Sequence, residues 1–317
     1  MPSVLIDPEL AEARAGIAGA LSLLNFDDLA ASRAALAGAF PVLPPSEHVA
    51  AQDRMVPGPA GAPAVKVRIY RPKGIPTSTR LPGLYFMHGG GMIMGNLDAD
   101  NARLSQYVEQ IGCVVVSVEY RLAPENPHPA PVEDCYAGLV WTAAHAGELG
   151  IDATRLAIGG GSAGGGLAAG TALLARDRGG PALCYQMLIY PMLDDRNTTP
   201  SSYAITDVGI WDRATSLNAW QALLGDQAGT EGVSPYAAPA RATDLARLPA
   251  AYLDVGTADL FRDEDIAYAQ RLMQAGVPVE LHVYPGAYHA FEFALSARLT
   301  QTAHTLRMAA LKQALTG

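Results

Sequence analysis

One serine, Ser162, stands inside a glycine cluster that runs Gly159-Gly160-Gly161-Ser162-Ala163-Gly164-Gly165-Gly166. Arg155-Leu156-Ala157-Ile158 leads into the cluster as an apolar, strand-like run, and an alanine-rich helical stretch begins at Leu167-Ala168. Gly160 to Gly164 fit G-x-S-x-G, a strand-turn-helix elbow in which residues without a Cβ let the chain turn sharply and leave a hydroxyl exposed. Such a hydroxyl becomes a nucleophile when a neighbouring base takes its proton. Ser162 is the candidate nucleophile.

The same letters admit other chemistry. Gly159 to Gly164 also satisfy G-x-G-x-x-G, the dinucleotide fingerprint, which wants an acidic residue about 20 positions further on. Asp194, after the run Cys184 to Tyr190, lies well beyond that. A phosphate loop of the G-x-x-x-x-G-K-[ST] kind fails because no lysine follows the glycines. A glycine turn packed for steric reasons alone needs no chemistry. Other parts of the chain must decide.

A base must reach the hydroxyl, and a third group must orient that base. Of the seven histidines, only His289 has a suitable loop position, after the run Val279 to Tyr284 and the break at Pro285-Gly286. His282 is mid-strand, while His48, His128, His145 and His304 lie in loops or helices without a matching partner. Asp259 follows the apolar run Tyr252-Leu253-Asp254-Val255 and could hold an imidazole or cap the helix that begins near Ile266. Asp254 is inside the strand and less suitable, and Asp263, Glu264 and Asp265 read as first-turn residues facing the helix dipole. The order Ser162, Asp259, His289 is that of one known triad arrangement.

A triad also needs donors for the negative charge that develops on the attacked oxygen. His88-Gly89-Gly90-Gly91 follows the run Leu84-Tyr85-Phe86-Met87, and its glycines would let backbone N–H groups crowd a ligand. Gly89, Gly90 and the N–H of Ala163 are the candidate oxyanion-hole donors, with His88 as a buttress of its loop.

These residues need elements to hold them at one place. Short apolar runs at Leu84–Met87, Val114–Val118, Leu156–Ile158, Met187–Ile189 and Tyr252–Val255 each end in Gly, Pro or polar residues, with helical stretches between most of them. The expected fold class is α/β, a mostly parallel sheet covered by helices on both faces, whose functional groups gather at the carboxyl ends of the strands. Val65 to Tyr70 alternates with period two and reads as an outer antiparallel strand. Residues 8 to about 40 read as two helices broken near Asn25 and closed by Phe40-Pro41. The expected organisation is a helical cap over 1–50, joined by an insert over about 200–225, on a catalytic domain spanning 51–317. A pocket would lie between the N-terminal helices and the insert Tyr203 to Leu224, with Met92, Met94, Trp211 and Trp220 as apolar wall residues.

At 317 residues, the chain can bury a large single core. Half the residues are hydrophobic, 17% are charged and the net charge is -9, which suits a soluble globular protein and gives nucleic acid no basic stripe to bind. Cys113, Cys135 and Cys184 lack C-x-x-C spacing and read as buried free thiols. The N-terminus has neither a basic start nor a long apolar run, so no signal peptide, no stable membrane insertion and a cytoplasmic setting are expected.

With these residues in view, the chain resembles bacterial esterases of the hormone-sensitive-lipase family in the α/β-hydrolase superfamily. The resemblance runs from about Val65 to the C-terminus. It rests on His88-Gly89-Gly90-Gly91, Tyr120-Arg121-Leu122-Ala123-Pro124-Glu125, Pro129-Ala130-Pro131 with Glu133-Asp134, the Ser162 elbow, Tyr190-Pro191 with Asp194, Asp259 and His289. It implies an α/β-hydrolase fold, carboxylesterase activity on short- or medium-chain acyl esters through Ser162, His289 and Asp259, a helical cap, a small-molecule ester as partner, and no metal or organic cofactor. Two positions depart from the family: Gly161 stands where Asp or Thr is usual, and Gly166 where a polar residue is common. The first departure removes a side chain that could brace the elbow.

A non-catalytic small-molecule receptor on the same fold is an alternative, although such receptors lose the histidine that His289 supplies here. A lyase or amidase using the same site is another, because a fold does not fix a reaction. Hydride transfer with a nicotinamide would need the glycine fingerprint to be real. A homodimer through Val279 to Tyr284 or the final helix is compatible with the pattern.

Overall fold

Val114 to Val118 offers no polar face, so the strand it forms has to be covered above and below. The computed structural model of the chain describes residues 5–21, 24–39, 43–206 and 210–317. Among them, β1 (Val49–Val56), β2 (Val65–Pro72), β3 (Leu81–Met87), β4 (Val114–Glu119), β5 (Ile151–Gly161), β6 (Tyr185–Ile189), β7 (Ala250–Ala258) and β8 (Val279–Tyr288) form one sheet in the order β1-β2-β4-β3-β5-β6-β7-β8. β2 is antiparallel to both neighbours, and β3 to β8 are parallel. The helices are α1 (Pro8–Leu21), α2 (Leu29–Ala39), α3 (Asn101–Ile111), α4 (Ala130–Ala144), α5 (Ala146–Leu149), α6 (Ala163–Asp177), α7 (Pro200–Ala204), α8 (Arg213–Leu224), α9 (Arg262–Gln274) and α10 (Arg298–Thr316). This is the α/β-hydrolase fold.

Strand order reverses around β3, since β4 lies on one side of it and β5 on the other. Such a switch point opens a crevice beyond the carboxyl ends of the strands. Met87, the last residue of β3, pairs with Gly160 near the end of β5, so the glycine loop after β3 and the elbow after β5 emerge side by side.

Three local readings are corrected. β2 is not the outer strand: β1 covers it, and the cap boundary drawn at residue 50 falls inside β1. β1 has no readable alternation because only its end residues, Val49 and Val56, are buried. β8 does not stop at Pro285-Gly286 but runs to Tyr288. It is the other edge of the sheet, where a proline deprives no neighbouring strand of a donor. The two N-terminal helices form on either side of Asn25, while Phe40-Pro41 lies outside the described residues. Residues 207–209 of the Tyr203 to Leu224 insert also lie outside them. Among the described residues no helix is long and apolar enough to cross a membrane. The cysteines are free thiols, Cys113 and Cys135 buried and Cys184 partly so.

The acidic trio occupies the first turn of α9, as expected, and within that turn Glu264 and Asp265 are buried. Glu264 Oε1 accepts from the N–H groups of Leu193 (2.9 Å) and Asp194 (3.0 Å), tying α9 to the segment after β6. Burial pushes its carboxyl pKa well above the usual range, against the two N–H groups that favour the charged form. Gln keeps the accepting oxygen and Leu does not. Glu264→Gln is expected to keep the thermal midpoint near that of the wild type, and Glu264→Leu to lose about 2–4 kcal/mol by stranding two buried N–H groups; equal midpoints by calorimetry would contradict this.

Candidate active site

Ser162 connects β5 to α6 with φ 57° and ψ -123°, a strained conformation for a residue with a Cβ. The surroundings hold it there. Its N–H donates to Ile189 O (2.9 Å), and its carbonyl accepts from Gly166 N (3.0 Å) and Met192 N (3.0 Å). Gly164 must be glycine, because a Cβ there would run into the carbonyl oxygens of Met87 and His88 at the end of β3. The same holds for Gly166, where a Cβ would strike Met192 O, which accounts for that departure from the family pattern.

Ala258 of β7 pairs with Tyr288 of β8, so Asp259 and His289 leave the sheet next to each other. His289 Nδ1 lies 2.8 Å from Asp259 Oδ2, and its Nε2 lies 2.8 Å from Ser162 Oγ. The other carboxyl oxygen, Oδ1, accepts from Phe261 N–H at 2.9 Å. A carboxylate can only accept, which places the ring proton on Nδ1 and leaves Nε2 to accept from the serine hydroxyl. Tyr190 and Phe261 meet the imidazole edge-on, with ring centroids 4.8 Å and 5.0 Å away, and Trp211 lies 6.4 Å away. Ser162, His289 and Asp259 are all buried, with Ser162 7% exposed. A hydroxyl bonded to an imidazole that is itself fixed by a carboxylate is an arrangement able to activate oxygen for attack.

The glycine loop lies against this elbow. A Cβ on Gly89 would stand 3.5 Å from Ser162 Cβ. Gly90, Gly91 and Met92 follow with φ of 114°, 62° and 61°, a run of left-handed residues that brings Ile93 N and Met94 N back onto Gly90 O. His88 stacks on Tyr120 with centroids 4.2 Å apart, and its Nδ1 lies 2.8 Å from Gly89 O, the geometry of a buttress. Burial lowers its pKa and keeps the ring neutral. Ala163 opens α6, where the first N–H groups have no intrahelical carbonyl to bond.

Of the expected wall residues, Trp211 packs its ring on Gly91, Met94 crowds Gly90, and Met92 is buried with its methyl group toward Gly166. Trp220 has no exposed surface and packs in the core, as an aromatic at helical spacing commonly does. Asp254, set aside as a member of the triad, pairs with Arg307 at 2.6 and 3.0 Å.

Sequence reasoning missed Arg33 on α2. Its Nε donates to Ile93 O (2.6 Å), Nη2 to Ala123 O (2.7 Å), and both terminal nitrogens to Glu125 (2.7 and 2.9 Å). One side chain therefore ties the N-terminal helices to the glycine loop. No local pattern announces it, because its partners lie 60 to 92 positions away.

A family model described as the alpha/beta hydrolase fold matches residues 84–293. The chain is 36% identical over 286 residues to the esterase LipI of Mycobacterium tuberculosis, covering 90% of this chain and 88% of that one. It is 38% identical over 258 residues to the carboxylesterase NlhH of the same organism, covering 80% of each. Among solved structures, a bacterial heroin esterase superposes with a TM-score of 0.90 at 40% identity, covering 99% of both chains.

Proposed function

Since the chain belongs to the hormone-sensitive-lipase branch of the α/β-hydrolase fold family and is a carboxylic ester hydrolase, we propose that it cleaves short- to medium-chain acyl esters through Ser162, His289 and Asp259. The observation that carries this reading is the unbroken relay from Ser162 Oγ to His289 to Asp259, with 2.8 Å at each step. Ser162 Oγ attacks the ester carbonyl as its proton passes to His289 Nε2. The N–H groups of Gly89, Gly90 and Ala163 hold the developing oxyanion, each worth about 2.7–4 kcal/mol of barrier in sites of this kind. The imidazolium, stabilised by Asp259, returns the proton to the departing alkoxide and leaves an acyl-serine. Water, deprotonated by the same imidazole, then releases the acid.

The cap is the N-terminal segment over 1–50, shortened to end before β1, together with about 200–225. Met92, Met94 and Trp211 line the acyl side in this reading. Arg33 couples the cap to the glycine loop. The test is a p-nitrophenyl ester series from acetate to palmitate on the wild type and on Arg33→Ala. The expected profile peaks at short or medium chains, and the variant falls about tenfold in kcat/KM with an altered chain-length profile. A wild type that cleaves matched anilides as fast as esters would favour the amidase alternative, and an Arg33→Ala profile identical to the wild type would count against the cap.

A further inference from the structure

Gly161, the residue before the serine, is the one departure from the family that space does not explain. Its backbone is outside the left-handed region, and a Cβ there would stand 3.4 Å from Arg103 Nη1 and 3.8 Å from Cε2 and the hydroxyl oxygen of Tyr190, close to ordinary contact. The flank of the elbow is thus faced by a guanidinium and a phenol. Arg103, on α3, donates from Nη2 to Glu292 Oε1 at 2.7 Å and keeps its Nε 3.5 Å from Asp100 Oδ1. Glu292, hydrogen-bonded at 2.7 Å against 3.5 Å for Asp100, is the closer partner.

Glu292 is 3% exposed and lies three residues beyond His289, in the short turn Phe291–Phe293. Its second oxygen is 3.9 Å from Arg307 Nη1, and the Arg307 guanidinium lies over the Tyr190 ring at 5.3 Å. Tyr190 in turn meets His289 edge-on. Nearby His304 has its pKa driven down to about 4 by burial and by Arg103 and Arg307, so it stays neutral and adds no charge to the group. The ion pair therefore connects the segment before the nucleophile with the turn after the base.

We propose that Arg103 and Glu292 are positioning residues: in place of a side chain at position 161, Arg103 braces the elbow and, through Glu292, fixes the turn that carries His289. This rests on the triad reading above. With Glu292 buried and Arg103 mostly so, the pair is costly to break once one charge is stranded, so it sets a distance well. The distance it sets is that between Ser162 Oγ and His289 Nε2, and an error of about 1 Å there costs about 100-fold in rate.

The test compares Arg103→Met, Glu292→Gln, the double variant and Glu292→Gln with Gly161→Asp, using kcat and KM for p-nitrophenyl butyrate, the rate of fluorophosphonate inactivation, and the thermal midpoint. Each single variant is expected to lose about 10- to 100-fold in kcat with KM within about twofold, and inactivation is expected to slow in proportion. The double variant is expected to lose no more than the worse single one, because the two residues act as a unit. Gly161→Asp is expected to restore most of the loss in Glu292→Gln, since its carboxylate would meet Arg103 Nη1. Glu292→Gln with wild-type kcat, a loss confined to the thermal midpoint, or a loss that Gly161→Asp leaves unrepaired overturns the proposal. Ser162→Ala run alongside separates the two readings: activity there sinks the triad, whereas an inactive Ser162→Ala beside a fully active Glu292→Gln sinks only the positioning pair.

Discussion

Replacing Ser162 by alanine is expected to lower kcat for p-nitrophenyl butyrate by about 10⁶-fold, with KM and the thermal midpoint close to those of the wild type. The size follows from the way nucleophile, base and orienting acid act as a unit: losing the nucleophile costs about as much as losing all three, and what survives comes from oxyanion donors and binding. The intact fold follows from the local geometry. The bonds that hold residue 162 in its strained conformation, to Ile189 O and from Gly166 N and Met192 N, are made by the backbone. Removing Oγ takes away one hydrogen bond, to His289 Nε2, and leaves the turn in place. A midpoint lowered by more than a few degrees would mean that the hydroxyl also supports the elbow.

Asp259→Asn is expected to cost about 10⁴-fold in kcat, for a reason that the two oxygens of Asp259 make specific. Oδ1 accepts from Phe261 N–H, so in the variant the amide oxygen keeps that bond and the amide nitrogen turns toward His289. A donor facing Nδ1 forces the ring proton onto Nε2, and the imidazole then points an N–H at Ser162 Oγ, from which it can take nothing. The pH profile of kcat measures this. Recovery at higher pH, where hydroxide takes over the removal of the serine proton, fits the account, while a loss under tenfold at neutral pH would show that something other than Asp259 sets the tautomer.

The three candidate triad residues were legible in sequence because a parallel sheet delivers loop residues to one rim, and each comes within a few positions of a recognisable apolar run. The glycine loop was legible because it too follows an apolar run, Leu84 to Met87; its place beside the elbow came only with the pairing of β3 and β5. β1 was not, because a strand covered only at its ends carries no alternating pattern. The end of β8 was misread because Pro285-Gly286 breaks most strands but not an edge strand. Arg33 and Arg103 were invisible for a different reason: an arginine that reaches across 60 or 189 positions to a carbonyl or a carboxylate has no signature in its neighbours. Glu264 illustrates the reverse case, in which a first-turn acid looks the same in sequence whether it faces water or holds two buried N–H groups.

Membership in an ester-hydrolase family sets aside the receptor and nicotinamide readings of the glycine cluster. In the proposed mechanism the serine at the elbow takes the acyl group. The most direct measurement is peptide mass mapping after fluorophosphonate treatment, paired with residual esterase activity. The expected result is one adduct, on Ser162, formed in step with the loss of activity and absent from Ser162→Ala. An adduct on another residue that accompanies inactivation, or an unlabelled protein that still turns over ester after treatment, would contradict the account.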